Sequence, residues 1–278
     1  MIAMISREEA LELARKYTSA KRFEHVLRVE EMAIYLAKFH NVDVEKVRLA
    51  ALLHDIGYEI NPELSKEDKA KYHDSLAYEF LKGKVDDDIR LAIKYHKEAN
   101  KKMDSLAKVI YLADKLERGR VYEQRESLEK IAIKNLDYAM IKTIENSISY
   151  LKSHNIEISK NTVETLNYLK ENNMFDLEDF KYFLDQKHAK DIEILDLKGK
   201  SSEVDFMVVV TAINKPHLKA LSDHITEYFY ERGFELKNSE GKQESGWILL
   251  DFADFFVHIF DGEMRNYYEI EKLWQSHC

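Results

Sequence analysis

Leu49-Ala50-Ala51-Leu52-Leu53-His54-Asp55-Ile56-Gly57 is the stretch on which the reading of this chain turns. Val47, Ala50, Ala51 and His54 fall at i, i+3, i+4 and i+7, so the spacing predicts the last turns of a buried helix with His54 on its apolar face. Gly57 is placed to end that helix in a left-handed cap. Asp55 follows His54 directly. An imidazole and a carboxylate side by side at a buried helix end are costly to desolvate unless something pairs with them. A divalent metal suits both, since zinc, iron and manganese accept imidazole and carboxylate ligands. For His54 alone, a hydrogen-bonded core histidine is the commoner outcome.

Working outward, the same pattern recurs. Ser6 with Glu9 forms the signature of a capping box at the start of the first helix. A second helix, about Arg22–His40, carries His25, Val29, Met32 and Leu36 on one stripe, and Asp43 can cap the third helix, which leads to His54. His73 leads Ala77, Phe80 and Leu81, and His96 ends a helix whose inward stripe is Ile89, Ala92 and Ile93. Asp114 follows Ala107, Ile110 and Tyr111 at the same spacing. A lone buried carboxylate costs several kcal/mol. So many metal-capable residues on inward faces of separate helices favour one common site over separate local explanations. His40 and His154 read as surface residues.

Composition bounds the rest. The 278 residues allow two domains with proper cores, and 33% charged against 45% hydrophobic residues is the balance of a soluble globular chain. No signal peptide or membrane span is expected, and the one cysteine, Cys278, excludes an internal disulfide framework, so a cytoplasmic protein is expected. Residues 176–278 hold 21 Asp+Glu against 12 Lys+Arg, which accounts for the whole net charge of −9. The neutral first part reads as almost entirely helical over residues 1–175. The acidic second part is a poor general nucleic-acid binder but could suit a basic protein surface.

The pattern His25…His54-Asp55…Asp114 resembles the H…HD…D signature of HD-domain phosphohydrolases. Arg22-Phe-Glu-His25, Leu49 to Asp55, His96 with Met103 to Asp114, and Glu117 to Arg120 resemble one branch closely, the YqeK-type hydrolases that cleave diadenosine tetraphosphate symmetrically. The likeness covers roughly residues 5–172. It implies an all-helical HD domain with two divalent metal ions, iron foremost, with manganese, cobalt or zinc as alternatives. One ion would be held by His25, His54, Asp55 and Asp114, and Asp55 would bridge to a second held by His73 and His96. Arg22 and Arg120 match family positions and would join Asp55 in the chemistry. The polyphosphate would be bound by Arg22, Lys97, Arg118 and Arg120. Ile56-Gly57-Tyr58, where the family has two residues and a lysine, Lys97 in place of a threonine, and Arg118 in place of a proline depart from the pattern. The departures at Gly57, Tyr58 and Lys97 bear on the substrate pocket more than on the metal ligands.

From residue 176 the texture changes. A helix over about Leu177–His188 precedes strands at Ile192–Leu197 and Phe206–Thr211; Pro216 opens a helix that Gly233 ends. Further strands are expected at Trp247–Phe252 and Phe255–Phe260, and a final helix from Met264 to Trp274. The order helix-strand-strand-helix-strand-strand-strand-helix suggests an α/β sandwich on a mixed sheet. Glu203-x-Asp205 has the form of a magnesium-holding carboxylate pair, but no glycine-serine phosphate loop stands ahead of it, and His258 reads as structural. Lys190 to Leu197, Ser201 to Val209, Ser245 to Phe252, Val257-His-Ile-Phe and Arg265 to Trp274 resemble the RsfS-type ribosomal silencing factors. That resemblance implies a nucleotidyltransferase-like fold without catalysis, which binds a large-subunit ribosomal protein and blocks subunit joining. Asp205, Trp247, Asp251, Asp254 and Tyr267 are the candidate ribosome-facing residues. The expected partners are therefore a dinucleoside polyphosphate, a large ribosomal subunit protein and a second copy of the chain as a homodimer, with no membrane and no sequence-specific nucleic acid. The competing readings are an HD enzyme acting on mononucleotides or guanosine polyphosphates, and a non-catalytic ribosome-binding protein.

Overall fold

Caps and apolar stripes lay out the first half of the chain as the sequence suggests. The computed structural model describes residues 5–173, 177–201 and 203–275, so both the expected boundary at 175/176 and Cys278 lie outside the described residues. The chain divides into two compact units, Met1–Asn173 and Met174–Cys278. The first is helical: α1 (Arg7–Tyr17), α2 (Ala20–Ala37), α3 (Val44–Leu53), α4 (Gly57–Ile60), α5 (Lys66–Phe80), α6 (Asp87–Tyr95), α7 (Ser105–Leu116), α8 (Arg125–Lys134), α9 (Leu136–Ser153) and α10 (Lys160–Asn173). Ser6 and Glu9 make the reciprocal capping box on α1, and the Asp43 carboxylate accepts from the Glu45 and Lys46 amides at the start of α3. These caps satisfy amides that the first turn of a helix leaves unpaired. α2 packs against α3 and α7 through Val29, Met32 and Leu36, all buried.

Two readings of this unit need correction. Gly57 does not cap α3 in the left-handed region; it opens α4, and a Cβ there would stand 1.8 Å from the His73 carbonyl oxygen. Glycine lets the α5 backbone approach closely enough for His73 to reach Asp55. His40 is not a free surface residue either: it is half-buried, and its Nε2 donates to the Ala132 carbonyl at 2.6 Å. His154 is exposed, as expected.

The second unit runs α11 (Leu177–Gln186), β1 (Lys190–Asp196), β2 (Phe206–Ala212), α12 (Lys215–Glu231), β3 (Asn238–Lys242), β4 (Trp247–Asp251), β5 (Phe255–Asp261), α13 (Gly262–Tyr268) and α14 (Lys272–Gln275). The five-stranded sheet has the order β1-β2-β5-β4-β3; β2 and β5 are parallel and the other pairs antiparallel. β2 lies inside the sheet, between β1 and β5, and is buried along its whole length, which its unbroken apolar run requires. Leu218, Leu221, Ile225, Tyr228 and Phe229 of α12 are buried, and α12 packs on β2, β4 and β5. On the opposite face Met207, Val209 and Phe260 form a second cluster with Met264 of α13. The strand that the sequence does not locate is β3, whose Asn-Ser-Glu-Gly-Lys is exposed throughout because it forms the sheet edge. The expected single helix from Met264 to Trp274 is broken at Glu269, whose φ of 42° ends α13 in the left-handed region.

Candidate metal and phosphate site

Each of the four inward histidines reaches the site with one ring nitrogen already engaged. His54 Nδ1 lies 2.6 Å from the Ala51 carbonyl, His96 Nδ1 2.6 Å from Ile93 and His73 Nδ1 3.1 Å from Ala70. His25 Nδ1 stands 3.2 Å from Glu117 Oε1. Carbonyl oxygens only accept, so the facing nitrogens of His54, His73 and His96 carry the proton and leave Nε2 free for a ligand. Both ring nitrogens of His25 face carboxylates, and although burial would lower its pKa, Asp114 and Glu117 hold it above the ordinary value. At the helix ends of α3 and α6, His54 and His96 fold back onto the carbonyl three residues earlier, and His73 does the same within α5, whereas the partner of His25 is distant in sequence.

The four Nε2 atoms converge on Asp55. Its Oδ1 lies 3.6 Å from both His73 Nε2 and His96 Nε2, while Oδ2 lies 3.6 Å from His54 Nε2 and 4.0 Å from His25 Nε2. Asp114 Oδ1 is 3.1 Å from His25 Nε2. The ligand atoms of His25, His54 and Asp114, and those of His54, Asp55 and His96, lie within 4.8 Å of one another. His73 and His96 bring two Nε2 atoms to 3.1 Å, an approach of two lone pairs that needs a proton or a cation between them. His54 Nε2 is fully buried and has no hydrogen-bond partner among the described residues, an expensive arrangement for a polar atom without a further ligand. The donor set of imidazole nitrogens and carboxylate oxygens therefore fits divalent transition-metal ions.

The electrostatics agree. Burial holds the His54 and His73 imidazoles down at about 4, so both are neutral, ligand-competent bases at pH 7. Burial alone would raise Asp55, but His54, His96 and Arg22 outweigh it and keep the carboxyl far below its usual range. Asp114 is likewise depressed, against the effect of its burial, by Lys115 and the neighbouring histidines.

Around these ligands is a cavity of about 580 Å³, rimmed by basic side chains. Arg22 donates to Asp55 Oδ2 at 2.6 Å, and its guanidinium lies 3.4 Å from the centre of the Tyr58 ring, which stacks in turn on His73. Arg120 donates to Asp114 Oδ1 at 2.8 Å. Lys97 lines the cavity while donating to the Lys71 carbonyl. Arg118, expected among the phosphate-binding residues, is exposed and does not line the cavity, whereas Lys115 and Arg28 do. Sequence reasoning also gave no role to Glu117. It is 2% exposed and accepts from His25, Arg28 and the Gly119 amide, so it sets the His25 ring. Its position three residues after Asp114, in a stretch already matched to the family, was the available signal.

The residues singled out in the second unit do not form one patch. Asp205, Asp251 and Asp254 gather where β2 and β5 begin and β4 ends, with the Asp205 amide bonded to the Asp254 carbonyl. Trp247 is at the other end of β4, half-buried against Phe260 and Tyr268, and Tyr267 is exposed on α13. Trp247 thus serves the core as well as the surface. His258 is structural as expected: it is buried and accepts from the Trp247 indole N–H.

A helical shell that aims histidine and aspartate ligands into a basic cavity defines a metal-dependent HD hydrolase, here followed by a separate α/β unit. Residues 22–119 match the HD domain family, and residues 171–278 match the ribosomal silencing factor during starvation family. Over 182 residues the chain is 31% identical to the symmetrical bis(5'-nucleosyl)-tetraphosphatase of Halalkalibacterium halodurans, covering 59% of this chain and 97% of that protein. Over 90 residues it is 36% identical to the ribosomal silencing factor RsfS of Bacillus subtilis, covering 32% of this chain and 76% of that protein. A solved HD superfamily hydrolase from Clostridium acetobutylicum, described as involved in NAD metabolism, superposes with a TM-score of 0.55 at 28% identity. It spans 62% of this chain and is covered completely. The chain belongs to the YqeK-type HD hydrolase family through its first unit and to the RsfS family through its second.

Proposed function

We propose that the helical unit hydrolyses diadenosine tetraphosphate symmetrically to two ADP. The observation that carries this is the convergence of four imidazole Nε2 atoms and two carboxylates beneath a ring of Arg22, Lys97, Lys115 and Arg120. His25, His54, Asp55 and Asp114 would hold one divalent ion, and Asp55, His73 and His96 a second, with Asp55 shared. Iron is the first choice, and manganese, cobalt or zinc satisfies the same donors. When bound, such ions supply a water of lowered pKa and neutralise the phosphate under attack. Arg22, braced on Tyr58 and Asp55, and Arg120, braced on Asp114, then orient the polyphosphate by donating their remaining N–H groups to its oxygens. A panel of dinucleoside polyphosphates, mononucleotides and guanosine polyphosphates, turned over by protein of measured metal content, tests the reading. ADP as the sole product from diadenosine tetraphosphate supports it; AMP with ATP would reject the symmetric cut, and cleavage of mononucleotides alone would reject the substrate.

The α/β unit, read as nucleotidyltransferase-like in fold but without catalysis, binds a basic protein of the large ribosomal subunit and blocks subunit joining in the cytoplasm. Its excess of acidic residues supports this. The full chain should bind purified large subunits, more weakly as salt rises, and should prevent association with small subunits; bound chain with unimpeded joining would reject the reading. Homodimerisation belongs to the same proposal and is read by solution mass.

A further inference from the structure

Tyr58 lines the metal-site cavity at the position where the HD pattern has a lysine, so an aromatic ring stands there in place of a point charge. Its place is set by the backbone. Gly57 lets α5 come close, and the Tyr58 amide donates to the Asp55 carbonyl at 3.2 Å. The ring thereby lies flat on His73, with centroids 4.2 Å apart and planes 24° apart. A ring has two faces, and His73 covers one. The Arg22 guanidinium covers the other, with its central carbon 3.4 Å from the ring centre. That separation is van der Waals contact between two flat groups and leaves no room for an N–H aimed at the ring, so guanidinium and ring lie parallel. The ion pair with Asp55 ties one guanidinium nitrogen, at 2.6 Å, but leaves the group free to turn about that bond. The Tyr58 ring removes this freedom and confines the remaining donors to the edge of one plane. A lysine could not do so, since it has no face to offer and would set a like charge beside Arg22.

We propose that Tyr58 is the positioning residue for Arg22: its ring holds the guanidinium edge-on to the cavity, so that two parallel N–H groups meet two oxygens of a substrate phosphate. The proposal rests on the phosphohydrolase reading above and adds what gives Arg22 its direction. Bidentate recognition depends on the plane of the fork as well as on its charge. A fork held in its bound orientation also loses little side-chain freedom when the phosphate arrives. The His73 ring has its own hold on the Ala70 carbonyl, so metal ligation does not need the stack.

The test is titration of ADP into the zinc-loaded full-length protein and into Tyr58→Leu, Tyr58→Phe, Arg22→Met and the double variant Arg22→Met with Tyr58→Leu. Tyr58→Leu should weaken ADP about 3- to 30-fold, the range of a cation–π contact, and Tyr58→Phe, which keeps the ring, should restore it to within about twofold. Arg22→Met should weaken ADP too, and Tyr58→Leu should add nothing to it, because the ring acts through the guanidinium. The NMR signal of the Arg22 Nε–H should be shifted upfield by the ring in the unaltered protein and in Tyr58→Phe, and lose that shift in Tyr58→Leu. Undiminished ADP binding by Tyr58→Leu, failure of Tyr58→Phe to restore it, or a full further loss on top of Arg22→Met would overturn the role. So would loss of zinc from Tyr58→Leu, which would show the ring acting on His73. Cleavage of diadenosine tetraphosphate by the unaltered protein without coupling between the two residues would reject the role of Tyr58 and leave the hydrolase reading standing. Absence of that cleavage with the coupling intact would reject that substrate and keep the role.

Discussion

Replacing Glu117 with Gln removes one charge and almost no volume, and its effect follows from which oxygen does what. Oε2 accepts from Arg28 Nε at 2.6 Å and from the Gly119 amide at 2.5 Å, whereas Oε1 accepts from His25 Nδ1 at 3.2 Å. The amide of Gln has a single acceptor oxygen. Oε1 also accepts from Arg28 Nη2, at 3.5 Å, but the two bonds at Oε2 are the short ones and favour that oxygen toward Arg28 Nε and Gly119, which leaves the NH2 facing His25. Nδ1 of His25 must then become an acceptor, and its proton moves to Nε2, the nitrogen aimed at Asp114 3.1 Å away. A protonated Nε2 cannot ligate. Loss of such an orienting partner costs about 10- to 100-fold in metal affinity, or roughly 1.4–2.7 kcal/mol. Competition against a chelator should show that loss, with kcat at saturating metal falling much less, and imidazole ring nitrogen NMR should report the exchanged tautomer at His25. Metal affinity within about twofold of the original would refute the role given to Glu117.

Asp55→Ala should abolish turnover and remove most bound metal, since the shared carboxylate faces all four histidines; metal analysis and activity on one sample check this, and retained activity would end the hydrolase mechanism. Gly57→Ala should cost about 2 kcal/mol or more, because the new Cβ meets backbone rather than a movable side chain; denaturant unfolding followed by far-UV dichroism measures it. His258 is held at about 4 by burial, so the folded second unit binds fewer protons than the unfolded chain between about pH 6.5 and 4. Its stability is therefore full above that window and falls as pH drops through it, by up to about 3 kcal/mol. Both tryptophans lie in this unit, so their fluorescence during unfolding reports it, and His258→Gln should flatten the dependence.

What the sequence determined by itself was whatever depends on short range. Caps at Ser6 and Asp43 and the apolar stripes around His25, His73, His96 and Asp114 are patterns within one or two helical turns, so the helices and the inward position of the ligands were legible. The unbroken run in β2 announced a strand buried on both faces for the same reason. Strand β3 had no such sign, because an edge strand exposed along its length needs no apolar alternation. Gly57 looked like a cap because local rules know only the chain's own turn, whereas its real constraint is the carbonyl of His73 on another helix. Lys115 is in the last turn of α7 and lines the site, whereas Arg118 stands beyond the helix end, in the turn after Glu117, and is exposed; where that turn directs its side chain is not written in the local pattern. Tertiary structure alone decided that Asp55 faces two pairs of histidines with opposite oxygens, and that Glu117 holds His25. Each of these is a contact between elements distant in sequence, and periodicity says which face of a helix is buried without saying what it is buried against.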